Sequence, residues 1–572
     1  MAGQSRKWMI LVATIWIQAF TGTNFDFSAY SSSLKSVLGV SQVQLNYLAV
    51  ASDLGKVLGW SSGLALMYVP LWVVLFMSAF MGFIGYGLQW LVIREIITLP
   101  YILVFLLCLL AGCSICWFNT VCYVLCIRNF PTNRALALSL TISFNGVSAA
   151  LYTMIADAIS PSSSALYLLL NALVPLITSF MSLIPILRQP SLDPLPPDAV
   201  GRDSLIFLIL NILAIITGVY LLLTGSTSSD TASARLLLGG ALFLLFFPLF
   251  IPGIVYARAW FRQAIHSSFH IEGSSFILVH DDDLELHKEQ ITRKASIHKN
   301  GLRHLISDNG SSYGLTRHNA EGCCESIVGR HQLAMLGEEH PVELLVRRLD
   351  FWLYYIAYFC GGTIGLVYSN NLGQIAQSLG QSSNTTTLVT LYSSFSFFGR
   401  LLSATPDYIR TKFYFARTGW MTVALLPTPV AFFLLAASSN STALHASTAL
   451  IGLSSGFIFA AAVSITSELF GPNSVGVNHN ILITNIPIGS LFYGLLAAIV
   501  YDANTRSSYG IRMVTDSTVC IGKDCYFLTF VWWGCISVVG MASSLLLFLR
   551  TRPAYDQFEL NRIISSQLDL GQ

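Results

Sequence analysis

The sequence predicts an all-α integral membrane protein of two six-helix bundles with two further helices inserted between them. The 572 residues are 54% hydrophobic and only 10% charged, whereas soluble domains carry roughly 25% charged residues. Apolar runs of about 20 residues recur along the chain, and each is long enough to cross a hydrocarbon core of ~30 Å. Short motifs also repeat at a nearly fixed separation. The formal net charge of +2 excludes a global basic surface of the kind that binds nucleic acid.

Six apolar runs form the first block. The first run follows a short basic segment and is longer than the apolar region of a cleaved signal peptide, so we interpret it as a retained helix. The six runs lie near 8–30, 43–66, 71–90, 101–127, 134–159 and 165–187.

The remaining runs form an inserted pair and a second block of six. The pair lies near 204–223 and 236–256, and a polar stretch of about 90 residues follows it. The second block lies near 351–368, 387–405, 418–437, 446–468, 477–500 and 527–549. We therefore expect about 14 spans, of which 12 form the core. The predicted units are a first bundle (1–188), a linker with the inserted pair (189–257), a cytoplasmic loop (258–349), a second bundle (350–550) and a cytoplasmic tail (551–572).

Lysine and arginine predict the orientation. With the N-terminus in the cytoplasm, most basic flanks fall on the cytoplasmic side, as the positive-inside rule requires; they include Arg6, Lys7, Arg128, Arg134, Arg188, Arg202, Arg258, Arg262, Arg347, Arg348, Arg410, Lys412, Arg550 and Arg552. Both termini and the long loop are then cytoplasmic. A tail segment, 559–564 (ELNRII), loosely resembles an acidic di-leucine sorting signal, so plasma membrane, vacuolar membrane and other endomembranes all stay open.

An internal repeat relates the two blocks. Residues 52–58 (SDLGKVL) match 396–402 (SFFGRLL) at an offset of 344, which makes Lys56 and Arg400 equivalent. Residues 130–133 (FPTN) match 470–473 (FGPN), and Asn145 matches Asn485, at an offset of 340. Two parallel repeats related by an axis along the membrane normal are typical of transporters built from two halves.

Several longer motifs carry a resemblance to a known family. Residues 22–30 (GTNFDFSAY), 52–62 (SDLGKVLGWSS), 144–148 (FNGVS) and 349–352 (LDFW) resemble the plant nodulin-like branch of the major facilitator superfamily, which includes proteins named nuclear fusion defective. The resemblance implies the major facilitator fold. Residues 399–407 (GRLLSATPD), with Arg410 and Lys412, resemble the superfamily's cytoplasmic signature, which assigns a conformational role to Asp407, Arg410 and Lys412. The first half has no Asp-Arg pair in the corresponding loop.

Two intramembrane cations are the first candidates for solute binding. A charge in mid-membrane is costly and usually faces a wet cavity, and Lys56 and Arg400 both lie well inside their spans. Two cations across one cavity would suit an anion. Arg400 further resembles the arginine with which monocarboxylate and oxalate/formate carriers engage a carboxylate. The alternatives are that Lys56 pairs with Asp53, three residues earlier on the same helical face, and that Arg400 belongs to a cytoplasmic gate.

Carboxylates and amides complete the candidate site. Asp26 and Asp53 are candidates for proton coupling, because a carboxylate in a low-dielectric cavity gains affinity for a proton; the alternative for Asp26 is a helix-end carboxylate satisfied by neighbouring hydroxyls. Other polar side chains fall where helices line the cavity of this fold, although they also serve as contacts between helices. These residues are Asn24, Tyr30, Asn119, Asn145, Tyr368, Asn371, Gln374 and Asn485.

Two cysteines in the last outer loop predict a disulfide. Cys520 and Cys525 are separated by four residues that include Gly522, so a tight turn can bring their α-carbons into the ~4.4–6.8 Å range of a disulfide. The predicted orientation also places them where disulfides persist. Cys113 and Cys116 form a C-x-x-C in a wholly apolar run, and we interpret them as packing residues.

The long loop contains nine of the chain's 11 histidines, between His266 and His340. Their spacing is irregular, so we expect a solvated regulatory segment and no metal site. Arg293, Lys294 and Ser296 form a possible kinase target. We expect no cofactor and no nucleic-acid partner; the oligomeric state stays open.

The leading hypothesis is secondary active transport of a small polar solute, in particular an organic anion driven by the proton gradient. The alternative is a non-transporting sensor or scaffold that uses the same fold and signals through the loop. A membrane-embedded enzyme is a third class, but no intramembrane Ser/His or His/Asp arrangement supports it. His479, between Asn478 and Asn480, we interpret as part of a helix-start cluster.

Overall fold

The computed structural model is helical in every regular element that it describes. The described residues are 2–23, 27–40, 42–160, 163–187, 197–224, 231–255, 257, 335–381, 384–410, 412–438, 440–508 and 520–570. Within them, eleven helices are long and apolar enough to cross a membrane. The expected all-α membrane fold class is confirmed, and the count of fourteen spans stays a prediction.

Nine of the described helices build the first bundle and two build the inserted pair. The first bundle consists of α1 (Ala2–Thr21), α2 (Phe27–Leu38), α3 (Gln42–Gly55), α4 (Trp60–Tyr68), α5 (Leu71–Ile93), α6 (Tyr101–Asn129), α7 (Arg134–Asn145), α8 (Ser148–Ile159) and α9 (Ser164–Leu187). The inserted pair consists of α10 (Pro197–Thr224) and α11 (Thr231–Phe246). A 3₁₀ turn, Lys56–Gly59, joins α3 to α4. The run expected near 43–66 is therefore two helices with an irregular turn at its one lysine.

Eleven of the described helices build the second bundle. It consists of α12 (Val342–Leu345), α13 (Leu349–Tyr358), α14 (Ile364–Ser378), α15 (Thr385–Leu402), α16 (Thr405–Ile409), α17 (Arg417–Leu425), α18 (Pro427–Ala437), α19 (Ser441–Phe470), α20 (Val475–Ile483), α21 (Asn485–Ser508) and α22 (Asp524–Leu570). A π-helical segment, Phe359–Thr363, joins α13 to α14. Four of its five residues, Cys360 to Thr363, are buried, so this irregularity lies in the interior of the protein.

The residues group into two compact units by their contacts. One unit is Met1–Tyr256 with Val328–Gln572, so it contains both bundles and the inserted pair. The other is Ala257–Ile327, which lies outside the described residues except for residue 257. The expected domain boundaries stay predictions.

Each bundle contains one glycine at which two of its helices cross closely, and the two crossings are equivalent. A Cβ atom on Gly112 of α6 would lie 1.8 Å from the carbonyl oxygen of Ser52 on α3. In the second bundle a Cβ atom on Gly456 would lie 2.1 Å from the carbonyl oxygen of Ser396. The two glycines are 344 residues apart, as are the two serines, so the repeat found in the sequence is a repeated helix crossing. Backbones approach this closely only where small residues stand at the interface.

Helix ends divide the molecule into two sides. The terminus side contains the first turn of α1 and the ends of α6 and α19. The far side contains the ends of α8 and α10 and the start of α22. On the terminus side the two bundles touch: a Cβ on Gly63 would lie 2.6 Å from the carbonyl oxygen of Gly476. Asn480 also donates to the Thr120 hydroxyl over 2.8 Å. The interface between the bundles is therefore closed at this level.

Candidate functional site

A central cavity of about 1060 Å³ lies between the two bundles. It extends from Gly146, between α7 and α8, and Phe397 of α15 to Tyr47 and Thr224 near helix ends on the far side. Its wall is rich in uncharged polar side chains, which include Tyr30, Tyr86, Gln89, Thr153, Ser369, Asn370, Asn371, Gln374, Thr390, Ser393, Ser394 and Ser490. Such a wall suits a polar solute, because hydroxyl and amide groups replace the hydrogen bonds that the solute loses with water.

The acidic and basic side chains that line this cavity in the described part of the chain are two carboxylates. Asp53 lies at the inner end of α3, and Asp157 lies near the end of α8 on the far side. The two candidate cations do not line it. Lys56 and Arg400, which the sequence predicts to face one central cavity, therefore lie outside this cavity.

Both cations instead line a smaller inner pocket of about 100 Å³. Leu366 lines both spaces, and Asn145 of the inner pocket is followed by Gly146 of the cavity wall. The inner pocket therefore adjoins the cavity on its terminus side. Its polar lining consists of Gln18, Lys56, Cys116, Asn119, Tyr123, Asn145, Tyr358, Arg400 and His479. The structure brings Lys56 and Arg400 to one pocket, as their equivalence under the repeat predicts.

Arg400 is buried without a carboxylate partner among the described residues. It is 5% exposed, and its Nη1 donates to the carbonyl oxygen of Ile142 over 3.3 Å. Its Nε has no hydrogen-bond partner, and the ring of Phe459 lies 5.9 Å from its guanidinium carbon. Charged groups are buried at high cost unless they are paired. The position therefore carries a charge that an anion in the pocket would neutralise.

Every other buried cation of the described chain has an acidic partner. The pairs are Lys7 with Asp203, Lys56 with Asp53, Arg417 with Asp407 and Glu468, and Arg550 with Asp350. The contrast makes Arg400 the exception among five buried cations.

Lys56 forms the pair that the sequence left as the alternative to solute contact. Its ammonium lies 2.5 Å from the carboxylate of Asp53, and the second oxygen of Asp53 accepts a hydrogen bond from Ser490 of α21 over 3.1 Å. Asp53 thus lines the central cavity on one side and holds Lys56, of the inner pocket, on the other. This carboxylate connects the two spaces and the two bundles.

The other polar candidates fall into three groups. Asn119 and Asn145 line the inner pocket, and the Nδ2 of Asn145 has no partner. Tyr30, Asn371 and Gln374 line the central cavity. Tyr368 and Asn485 lie outside both spaces: Tyr368 bonds with Thr448 over 2.7 Å, and Asn485 accepts from Thr363 over 2.6 Å. Asn24 and Asp26 lie outside the described residues.

Gln18 and His479 also line the inner pocket, although nothing in the sequence selects them as site residues. The Oε1 of Gln18 has no partner, while its Nε2 donates to Asn119 over 2.9 Å. His479 is buried, its Nδ1 has no partner, and its ring packs edge-on against Tyr123 at 5.6 Å. From the sequence, His479 belongs to a helix-start cluster. It does lie in the first turns of α20, but it faces the pocket, and only the position of the opposite bundle reveals this.

Of the three residues to which the family resemblance assigns a conformational role, Asp407 lies in a charge network on the terminus side. Arg417 donates to both oxygens of Asp407 over 2.9 and 3.0 Å and to Glu468 over 3.1 and 3.2 Å. Tyr555 donates to Glu468 over 2.7 Å. Arg410 instead pairs with Glu559 of the tail, and Lys412 is exposed. The pairing of Arg417 with Glu468 cannot be predicted from the sequence, because the two residues are 51 positions apart in different helices.

Cys520 and Cys525 are bonded to each other, as the sequence predicts, with their α-carbons 6.0 Å apart. The backbone N–H of Gly522, between them, donates to the carbonyl oxygen of Ser378 over 2.8 Å. Among the described residues, no group of three His, Cys, Asp or Glu side chains could hold a metal ion. Most of the histidine-rich loop lies outside those residues.

Comparison with family models divides the chain into two matched regions. Residues 7–253 match the family described as Nodulin-like, and residues 334–557 match the family described as NFD4, C-terminal domain. The Arabidopsis thaliana protein NUCLEAR FUSION DEFECTIVE 4 is 62% identical over 574 residues, which cover 100% of this chain and 93% of the relative. A second relative, "Probable transporter MCH1" of Yarrowia lipolytica, is 28% identical over 194 residues, 32% of this chain and 38% of the relative.

A solved structure shows the same fold over nearly the whole chain. The proton:xylose symporter XylE of the major facilitator superfamily, bound to 6-bromo-6-deoxy-D-glucose, superposes with a TM-score of 0.52 and 13% sequence identity. The match covers 95% of each chain. At this identity the likeness concerns the fold: two six-helix halves around a central cavity.

Proposed function

Because this chain belongs to the plant nodulin-like branch of the major facilitator superfamily, we propose that it is a secondary transporter that carries a small organic anion by alternating access. The fold supports the transporter class, and the pocket supports the anion. Arg400 carries the argument for the anion, because it is the one buried cation of the described chain without a carboxylate. The carboxylate of a solute would supply that missing charge.

The inner pocket would hold the charged group of the solute. A guanidinium can engage a carboxylate through two parallel hydrogen bonds, and the Nε of Arg400 is available for one of them. Asn145 offers a further unpaired N–H donor in the same pocket. The rest of the solute would lie toward the central cavity, where hydroxyl and amide groups predominate.

The closed terminus side and the cavity on the far side fit one of the two end states of alternating access. On the terminus side of the inner pocket, Gly63 contacts Gly476, and Asn480 donates a hydrogen bond to Thr120. A solute bound at Arg400 would therefore exchange only with the far side. In the opposite state these contacts must separate. With the termini in the cytoplasm, as the basic flanks predict, the far side is the exterior or the lumen.

We extend the proposal to proton coupling through Asp53. This carboxylate lines the cavity, where a proton can reach it, and its second role is to neutralise Lys56. A proton on Asp53 would remove the charge that holds Lys56 and would weaken the link to Ser490 of the second bundle. Collapse of the proton gradient with an ionophore should therefore abolish accumulation of the anion while exchange continues. Accumulation that persists without a proton gradient would contradict this part.

A binding measurement with purified protein tests the anion. A ligand at 100 times its dissociation constant stabilises the folded state by about 2.7 kcal/mol, which a thermal unfolding assay resolves. The probes are sodium acetate, lactate, pyruvate and malonate, with glucose and choline chloride as neutral and cationic controls. We expect at least one anion to raise the unfolding temperature of the native protein and to leave Arg400→Ala unchanged. Stabilisation by glucose or choline alone would contradict the anion proposal.

A further inference from the structure

The inserted helices α10 and α11 lie where the two bundles meet. Asp203 of α10 forms an ion pair with Lys7 of the first bundle. Eight residues further on, Asn211 donates to the hydroxyl of Tyr408 in the second bundle over 2.8 Å. Closer to the far side, the ring of Phe397 lies so near to Gly218 that a Cβ atom there would be 2.3 Å from it. The helix α10 therefore touches both bundles along its length.

The second inserted helix is attached to the first bundle. Trp16 of α1 donates its indole N–H to the carbonyl oxygen of Leu245 over 2.9 Å. Arg235 donates to the carbonyl oxygen of Ala158 at the end of α8 over 3.1 Å. Ser5 donates to the carbonyl oxygen of Pro252, beyond α11, over 2.9 Å. These contacts fix the pair to the first bundle at both of its ends.

One face of the pair lines the central cavity. Gly218, Leu221 and Thr224 recur at intervals of three on α10, and Ala234 and Leu237 are three apart on α11; all five line the cavity. Residues three apart share a helix face. The neighbouring side chains Leu223 and Leu236 point away from it and are 68% and 78% exposed, as expected for apolar side chains that face lipid. Each helix thus has one face toward the solute space and one toward the bilayer.

We propose that the inserted pair is a third wall of the solute pathway and that Leu221 and Thr224 help to set the size of the solute that the cavity accepts. The pair contributes a leucine, a threonine and small residues to the cavity wall where the two bundles meet. Its role is therefore part of solute selection, beyond the attachment of the long loop that follows it.

Thiol labelling tests whether this face is open to water. Thr224→Cys and Leu223→Cys are adjacent, but the first lines the cavity and the second faces away, so they form a matched pair. Both are made in a Cys108→Ser background, because Cys108 also lines the cavity. A charged, membrane-impermeant methanethiosulfonate reagent needs a thiolate in water. We expect it to label Thr224→Cys from the far side and to leave Leu223→Cys unlabelled.

A second pair of variants on the other helix guards against a local folding defect. Leu237→Cys, at a partly exposed position of the cavity wall, should label and the adjacent Leu236→Cys should not, for the same reason. Equal labelling of the members of both pairs, or labelling of Leu223→Cys and Leu236→Cys alone, would overturn the wall. Because this test needs no solute, its outcome does not depend on the proposed transport.

The claim about solute size rests on the proposed function and has its own measurement. Leu221→Trp enlarges a side chain of the wall, whereas Leu221→Met keeps its volume nearly constant. In proteoliposomes that contain the full chain, we expect Leu221→Trp to lose malonate or lactate uptake while acetate uptake is retained, and Leu221→Met to behave as the native protein. Equal loss for all three anions, or no loss for any, would remove the role in selection even if the wall itself labels.

Discussion

At the level of single residues, Arg400 differs from the other buried cations of the described chain because it lacks a carboxylate partner. The described chain pairs four of its five buried cations with carboxylates and leaves this one with a carbonyl oxygen and an aromatic ring. Lys56, the equivalent residue in the first half of the repeat, forms an ion pair with Asp53. The two equivalent positions therefore have different roles: one cation is satisfied by the protein itself, and the other is available to a solute.

Arg400→Lys should weaken anion binding although it keeps the charge. An ammonium cannot make the two parallel hydrogen bonds of a planar guanidinium, and loss of one such bond, worth ~1.4 kcal/mol, is about a tenfold change in affinity. Titration of the anion that stabilises the native protein, followed by the unfolding temperature, measures this. Arg552→Lys, an exposed position, is the control and should bind as the native protein does. Native affinity in Arg400→Lys would mean that the anion binds elsewhere.

Asp53→Asn should destabilise the protein through Lys56. Removal of one member of a buried ion pair costs about 3–5 kcal/mol, because the other charge stays buried without a partner. Thermal unfolding in detergent should therefore show a lower midpoint for Asp53→Asn, and the double variant Asp53→Asn with Lys56→Met should recover most of the loss. If the double variant is no more stable than the single one, the pair does not act as a unit.

At the scale of elements, the glycine crossings connect the sequence repeat to the packing. The motif at 52–58 and its copy at 396–402 predicted equivalent positions, and the structure shows that each motif crosses a long helix at a glycine. The offset of 344 could be read directly from the sequence. The close approach could not, because Gly112 and Gly456 lie outside the motif and their contact depends on the angle between two helices.

Substitution of these glycines should be costly. Gly112→Ala and Gly456→Ala place a methyl group within about 2 Å of a carbonyl oxygen, and overpacking of this kind typically costs about 1–3 kcal/mol. Gly239→Ala on α11, where a Cβ would meet nothing within 4 Å, should be neutral or gain up to ~1 kcal/mol from helix propensity. Unfolding midpoints of the three variants give the comparison. Equal midpoints would show that the crossings relax at no cost.

The disulfide gives a test of both the loop and the orientation. Cys520 and Cys525 should resist alkylation in the unreduced native protein and label after reduction, because the structure joins them. In sealed vesicles, a membrane-impermeant thiol reagent applied on the non-cytoplasmic side should reach them after reduction. Full labelling without reduction would exclude the bond. Labelling only from the cytoplasmic side would reverse the predicted orientation.

At the scale of the whole molecule, hydropathy and the repeat sufficed for the fold, whereas the site needed the structure. The all-α class, the two blocks and the family followed from runs and motifs that are local in sequence. The partners of charged residues are not local: Arg417 bonds to Glu468 across 51 residues, and Arg400 lies beside Ile142 of the other bundle. Tyr368 and Asn485 bond to Thr448 and Thr363 outside both pockets. Their sequence positions predict the helix on which each residue lies, but not how that helix is rotated.

Solute counterflow in proteoliposomes tests whether the protein transports an anion that binds at Arg400. Vesicles that contain the full chain are loaded with unlabelled acetate, lactate, pyruvate or malonate and diluted into the same labelled anion, with glucose and choline as controls. We expect transient accumulation of at least one anion by the native protein, none by Arg400→Ala that has folded as judged by its unfolding transition, and none of the controls. Exchange of glucose or choline instead, or anion exchange that is equally fast in Arg400→Ala, would contradict transport of an anion bound at Arg400.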